Sequence, residues 1–404
     1  MIISKRRFAL AILVTASGLA NAQNTEFGAC VQNLRAQALG QGVSAQTFDT
    51  ALKGVEPDQS VLDAVDTQPE FKTPIWDYLA AMVDDQRVAE GRAKLEEWAR
   101  VLDSAESKFG VDRHVIVAVW GVESDYGKSM GRRPLVRSLA TGACSGRRQK
   151  FFRDELMATL RILQSGDMQP EALRGSWAGA FGQTQFMPTT YQRLAVDFDG
   201  DGKRDIVGSV PDALGSTANF LKKAGWQSGQ PWGYEVRVPS GYAGPSGRGT
   251  RQPVAQWKSL GIVAADGQPL TGDGSAALIL PAGPKGPAFL AFGNYNSIYT
   301  YNGAESYALA IAHLSDRLRG GEPFRTAWPT DDPGLSRAQR RELQELLAVR
   351  GFDVGPADGG IGPRTRAAIR AFQASAGIPD DGHAGVRVLE ALKAGPPRAQ
   401  GSVR

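Results

Sequence analysis

The sequence predicts a mainly α protein with a small β-rich insertion and a compact C-terminal three-helix module. Three observations carry this. Apolar residues recur at helical spacing through 25–103 and again through 111–127. From 225 to 291 the composition shifts to Gly, Pro and short β-prone runs. Beyond a linker at 325–334 that holds Pro329 and Pro333, residues 335–395 carry three more apolar helical stripes.

Residues 1–22 come first. Lys5, Arg6 and Arg7 form a positive start, Phe8 to Leu19 is a short apolar run, and Ala20-Asn21-Ala22 is a small-x-small cleavage site. This is a secretory signal, with a mature chain from Gln23. Cys30 lies beyond the apolar run behind Phe-Gly-Ala, a poor lipobox, so no lipid anchor is expected. No later apolar run is long enough to span a bilayer. A periplasmic location follows. The formal charge of +4 counts Lys5, Arg6 and Arg7, so the mature chain is close to neutral. No basic tract is interleaved with aromatics, which argues against nucleic acid. His114, His313 and His383 lie far apart, which argues against zinc. In an oxidising compartment Cys30 and Cys144 are expected to form one disulfide, the alternative being two free thiols.

Through 25–103, Phe27, Val31, Leu34 and Ala38 repeat at helical spacing, as do Trp76, Leu79, Ala80 and Val83. Between them the polar stretch 59–73, with Pro69, is expected to wrap along a surface. Asp112 is a helix N-cap, and Val115, Ile116, Val119 and Trp120 share one face of the helix that follows. Glu123 falls on that same face. Desolvation penalises the charged form of a carboxyl there, which suits a general acid for a glycosidic oxygen. On this residue alone, a Glu at a fraying helix end reaching solvent or an Arg is the alternative.

Residues 175–188 read Gly-Ser-Trp-Ala-Gly-Ala-Phe-Gly-Gln-Thr-Gln-Phe-Met-Pro, with little side-chain bulk. Such a stretch lets backbone approach a ligand, or packs tightly for its own sake. Trp177, Phe181, Phe186 and Met187 offer apolar surfaces for a sugar, and Gln183 and Gln185 offer uncharged donors and acceptors. Asp197, Asp199 and Asp201 then alternate, with Gly202 at the turn, Lys203 at the seventh position and Asp205 at the ninth. This is the start of an EF-hand loop. Gly208 replaces the bidentate Glu at its end, and Asp212 is the candidate that closes the site. A structural Ca²⁺ is expected, against an empty Asp-Gly turn. A helix resumes over 211–223. Residues 292–302 mix tyrosines and asparagines, a carbohydrate-friendly set from which Tyr295, Tyr301 and Asn302 are expected to contact sugar. A helix over 306–318 follows. In the C-terminal module Leu343, Leu346 and Leu347 mark one helix, Ala367, Ala368, Ile369 and Phe372 a second, and Val386, Leu389 and Leu392 a third. Residues 396–404 form a polar tail.

These residues carry a resemblance. Trp120-Gly-Val-Glu-Ser-Asp-Tyr-Gly127, the 175–188 stretch, the Asp197–Asp205 loop and the stretch from Asn294 to Tyr307 make residues 25–322 similar to the lytic transglycosylases of the B type, which cleave bacterial peptidoglycan. Leu343-Gln, Gly351-Phe, Asp358-Gly-Gly-Ile-Gly-Pro-x-Thr365, Ala371-Phe-Gln373 and Asp381-Gly382 resemble the three-helix peptidoglycan-binding module. The resemblance implies a lysozyme-like α core at 23–324 and a wall-binding module at 335–395. It implies Glu123 as the single acid/base, Ser176 and Gln185 lining the cleft, Tyr301 near Glu123, and a cation held by Asp197, Asp199, Asp201 and Asp212. No catalytic cofactor is implied, the partner is the glycan strand, and a monomer is expected. A hydrolytic muramidase and a non-catalytic wall-binding protein are the alternative functions.

Overall fold

The computed structural model describes residues 13–66, 73–272 and 274–395. Residues 1–12 of the expected signal segment, 67–72 of the expected surface wrap and the tail 396–404 lie outside them. The rest of that wrap differs from expectation, because Gln59–Asp66 is a helix. Asp58 precedes it and accepts from the Ser60 amide at 3.0 Å, a capping bond, and Val61 is its buried anchor. Among the described residues, no helix is long and apolar enough to cross a membrane.

The chain divides into two compact units, one within 1–68 and 127–216, the other within 69–126 and 217–404. In the first, the helices Leu135–Cys144 and Gln149–Ser165 pack against each other and bury Leu139, Phe152, Leu156 and Leu160. Gly142 lies at this contact, where a Cβ would overlap the Phe152 ring. Cys144 closes its helix and is disulfide-bonded to Cys30 of the helix Leu13–Gly40, with the Cα atoms 5.7 Å apart. A short antiparallel ladder joins β1 (Arg133–Pro134) to β2 (Arg174–Gly175).

In the second unit the helix Arg113–Ser124 is the centre. Asp112 caps it, accepting from the His114 amide at 2.8 Å. The buried surface is wider than one stripe, since every residue from Val115 to Gly121 is buried. The helix Glu305–Arg319 packs along it and is buried almost throughout. The two run antiparallel, tied at one end by Arg319, which donates to Asp112 at 2.7 Å. At the other end Tyr307 meets Glu123.

The expected β-rich insertion is one antiparallel sheet. Its strands are β3 (Gly233–Arg237), β4 (Arg251–Pro253), β5 (Val263–Ala264), β6 (Ser275–Ile279) and β7 (Ala288–Ala291), in the order β4-β6-β7-β3-β5. Val236, Trp257, Leu278 and Leu290 form its core, and the Trp257 indole donates to the Ala276 carbonyl at 2.9 Å. The C-terminal helices Arg337–Val349, Pro363–Ala376 and Val386–Ala394 enclose Leu343, Leu347, Ile369, Phe372, Leu389 and Leu392. A capping box of Ser336 and Gln339 starts the first of them.

Candidate active site

Glu123 sits in the last turn of Arg113–Ser124, partly accessible but walled by protein. Burial pushes its carboxyl up to about 8, against the opposing effect of a hydrogen bond from the Tyr307 hydroxyl. Tyr307 is buried in the first turn of Glu305–Arg319, and burial and the facing carboxyl push its phenol well up, so it stays a protonated donor. The Tyr301 ring stacks on Tyr307 at 6.2 Å and touches Phe220 at 4.5 Å. The group bonded to Glu123 is therefore Tyr307, and Tyr301 lies one ring further out. A signal for Tyr307 was present: a lone phenol on an otherwise apolar helical face is the same anomaly as Glu123.

Asp125 is the carboxylate nearest to Glu123 in sequence, and it faces cations. Arg337 donates to one of its oxygens, and the Arg87 guanidinium lies 3.5 Å from the other. Tyr295 does not fit a sugar contact. It is 1 % exposed, packs on Trp232 at 6.0 Å and donates to the Glu305 carbonyl at 3.3 Å, so it is core. Asn302 is exposed at the end of the helix Gly293–Asn302.

In the other unit the 175–188 stretch folds on itself. The Ser176 amide donates to the Ala180 carbonyl at 2.8 Å, and the Phe181 amide donates to the Phe186 carbonyl at 3.0 Å. A Cβ at Gly175 would overlap that Ala180 carbonyl, which is the close approach the small residues permit. Phe181 and Phe186 are buried, so they are packing residues and not sugar platforms. Gln183 is likewise buried, its side chain donating to the Val207 carbonyl at 3.3 Å. Ser176 and Gln185 are partly exposed. Ser176 Oγ accepts from the Ala180 amide at 3.0 Å. Gln185 takes a left-handed backbone, φ 51°, with its side-chain amide on the Gly182 carbonyl at 2.7 Å and the Met130 carbonyl at 3.0 Å.

The acidic loop gathers three carboxylates, Asp197, Asp199 and Asp212, with ligand atoms within 4.8 Å of one another. Asp212 is fully buried, and burial pushes its carboxyl up. It accepts from the Phe198 amide at 2.7 Å and the Asp205 amide at 2.7 Å, so it ties the loop together. Asp201, Lys203 and Asp205 do not join this cluster through their side chains. Asp201 accepts from the Lys203 amide at 2.8 Å, and Asp205 accepts from the Val207 and Gly208 amides at 2.9 and 2.8 Å. Each of these bonds uses one carboxylate oxygen. A hard, all-oxygen set of crowded anions fits a Ca²⁺.

Residues 26–316 match the family described as the Transglycosylase SLT domain, and residues 336–392 match the Putative peptidoglycan binding domain. Membrane-bound lytic murein transglycosylase B of Escherichia coli is 31 % identical over 291 residues, covering 69 % of this chain and 79 % of that protein. SltB3 of Pseudomonas aeruginosa, solved in complex with NAG-anhNAM-pentapeptide, is 48 % identical, with a TM-score of 0.74 over 91 % of this chain and 99 % of that one. The Escherichia coli lytic transglycosylase Slt35, solved in complex with calcium, is 28 % identical, with a TM-score of 0.64 over 72 % of this chain and 92 % of that one. With this core and this C-terminal module, the chain belongs to the lytic transglycosylase family and shares its lysozyme-like fold.

Proposed function

We propose that this protein is a peptidoglycan lytic transglycosylase in which Glu123 alone serves as acid and then base. The observation that carries the reading is a carboxyl that keeps its proton near neutrality, in contact with a buried phenol. Glu123 protonates the oxygen joining N-acetylmuramic acid C1 to N-acetylglucosamine C4, and the C1–O bond breaks. The substrate's acetamido group stabilises the charge at C1. The carboxylate, held by the Tyr307 hydroxyl, then takes the proton of the muramyl 6-hydroxyl as that oxygen bonds to C1. The product carries a 1,6-anhydro end, no water is consumed and Glu123 is returned protonated. A glycosidase with two carboxylates flanking the bond works differently, and the facing of Asp125 toward Arg337 and Arg87 favours the one-carboxyl scheme.

Clearing of a purified peptidoglycan suspension tests the reading against a non-catalytic wall binder. The protein is expected to clear it, while the Glu123→Gln variant pellets with the wall without clearing it. Persistent turbidity with the unmodified protein would contradict enzymatic cleavage.

Tyr307→Phe leaves the acid in place but removes a donor to the carboxylate. We expect kcat to fall about 10- to 100-fold. Loss of the donor disfavours the anion, so the basic limb of the pH–rate profile moves up in pH. An unchanged limb would contradict the hydrogen bond drawn here.

Asp197, Asp199 and Asp212 are proposed to hold a structural Ca²⁺, supported by the calcium in the Slt35 relative. The ion would offset their mutual repulsion and take no part in proton transfer. Calcium is expected to raise Tm by several degrees, and Asp199→Ala to abolish the rise. Equal melting with Ca²⁺ and with chelator would contradict the site. Export to the periplasm through residues 1–22, a monomeric state, and a division into a catalytic part at 23–324, a linker at 325–334 and a wall-binding part at 335–395 complete the proposal.

A further inference from the structure

Asp125 and Tyr126 follow Glu123 by two and three residues, take no part in the proposed chemistry and are unusually restrained. Asp125 closes the helix in the left-handed region at φ 54°, and Tyr126 follows at φ 58°. Two successive non-glycine residues in this region persist only where the surroundings hold them. Tyr126 is held by packing. Its hydroxyl donates to the Arg87 carbonyl at 2.8 Å, and its ring fills the space that a Cβ on Gly91 or Gly121 would take.

Asp125 is held by charge. Its partner Arg337 opens the first helix of the C-terminal module and is only 7 % exposed. The Arg337 amide also donates to Asp84 at 3.3 Å, and its guanidinium reaches Glu90 at 3.5 Å. Asp84 in turn caps the helix Asp85–Glu97 through the Arg87 amide at 2.8 Å. One buried cation thus joins the C-terminal module, the Asp85–Glu97 helix and the end of the Glu123 helix. Its loss costs more than that of an exposed pair, because Asp84 stays buried without it and Asp125 keeps only the Arg87 guanidinium at 3.5 Å.

We propose that Arg337 is a positioning residue for Glu123: by fixing Asp125 at the helix end, it makes the C-terminal module part of the active conformation as well as a tether to the wall. The proposal rests on Glu123 being the acid/base. Displacement of a reacting group by about 1 Å is enough to cost roughly a hundredfold in rate, and the Arg337 contact lies one residue beyond the turn that carries Glu123.

The test uses the full chain and a short soluble glycan fragment of peptidoglycan, on which wall tethering has no bearing. Arg337→Met, Asp125→Asn and the double variant are compared, with kcat, KM and the pH–rate profile as readouts. We expect either single variant to lower kcat about 10- to 100-fold at nearly constant KM and to displace the basic limb. The double variant should fall no further than the worse single one, because both break one contact. Arg337→Lys should recover part of kcat, pelleting with insoluble wall should persist, and Lys393→Ala, on an exposed pair of the same module, should match the unmodified protein. Unchanged kcat and pH profile in both single variants, or independent losses in the double variant, would overturn the proposal. If Arg337→Met does not fold, Asp125→Asn carries the test, since Asn tolerates the left-handed region. Full activity of Glu123→Gln would remove the acid assignment itself, whereas an inactive Glu123→Gln beside a fully active Asp125→Asn would remove only the positioning role.

Discussion

Glu123→Gln is expected to lower kcat on peptidoglycan by about a thousand-fold or more, because one group supplies both proton transfers. Gln keeps the size of the side chain and still accepts from the Tyr307 hydroxyl, so geometry survives while the proton is lost. The same substitution has a pH signature in stability. The Glu123 carboxyl is raised from about 4.5 to about 8 by burial, so the folded state holds its proton more tightly than the unfolded one. Below the unfolded value both states are protonated and nothing is lost. As pH rises from there through the folded value, the unmodified protein loses stability that the Gln variant, with no charge to bury, retains. The two should melt alike at and below about pH 4.5, and the variant should melt progressively higher from there into mild alkali, by a few degrees in all. A melting difference that is flat across this range would contradict the buried protonated acid.

Replacing Cys30 and Cys144 together by Ser is expected to produce the largest loss of stability. The bond links residues 114 apart in sequence. Loop-closure entropy alone puts the stabilisation at about 5 kcal/mol, chiefly by restricting the unfolded chain. For a protein of this size that corresponds to a fall in Tm of roughly 6 °C. Reductant should lower the melting of the unmodified protein by a similar amount and leave the Ser variant where it is. A double Ser variant melting within about 2 °C of the unmodified protein would show that the link is not formed or not stabilising.

The sequence made some of this legible and hid the rest for identifiable reasons. Glu123 stood out because a carboxylate on an apolar helical face is costly, and that cost is what raises its proton affinity in the structure. Asp112 was readable as a cap because capping is local. The sheet and the three C-terminal helices followed from periodicity and composition. Tyr307 was not singled out because a lone phenol on an apolar helical face reads as a core residue until its partner, 184 residues away, is brought to it. Tyr295, Phe181 and Phe186 belong to residue types that serve sugar contacts and cores alike, and only burial separates the two uses. In the acidic loop, spacing identified Asp197 and Asp199, but it did not show that Asp212, and not Asp201 or Asp205, completes the cluster, because that depends on how the loop folds back. Arg337 lay in a module read only as a wall tether, and its ion pair with Asp125 is a long-range contact.

The most direct test of the central claim is mass spectrometry of the fragments released from purified peptidoglycan by the full-length protein. Transfer to the muramyl 6-hydroxyl predicts products one water lighter than reducing muropeptides, formed by the unmodified protein and absent with Glu123→Gln. Reducing ends in their place would show that water is the acceptor and would contradict the one-carboxyl transglycosylase scheme.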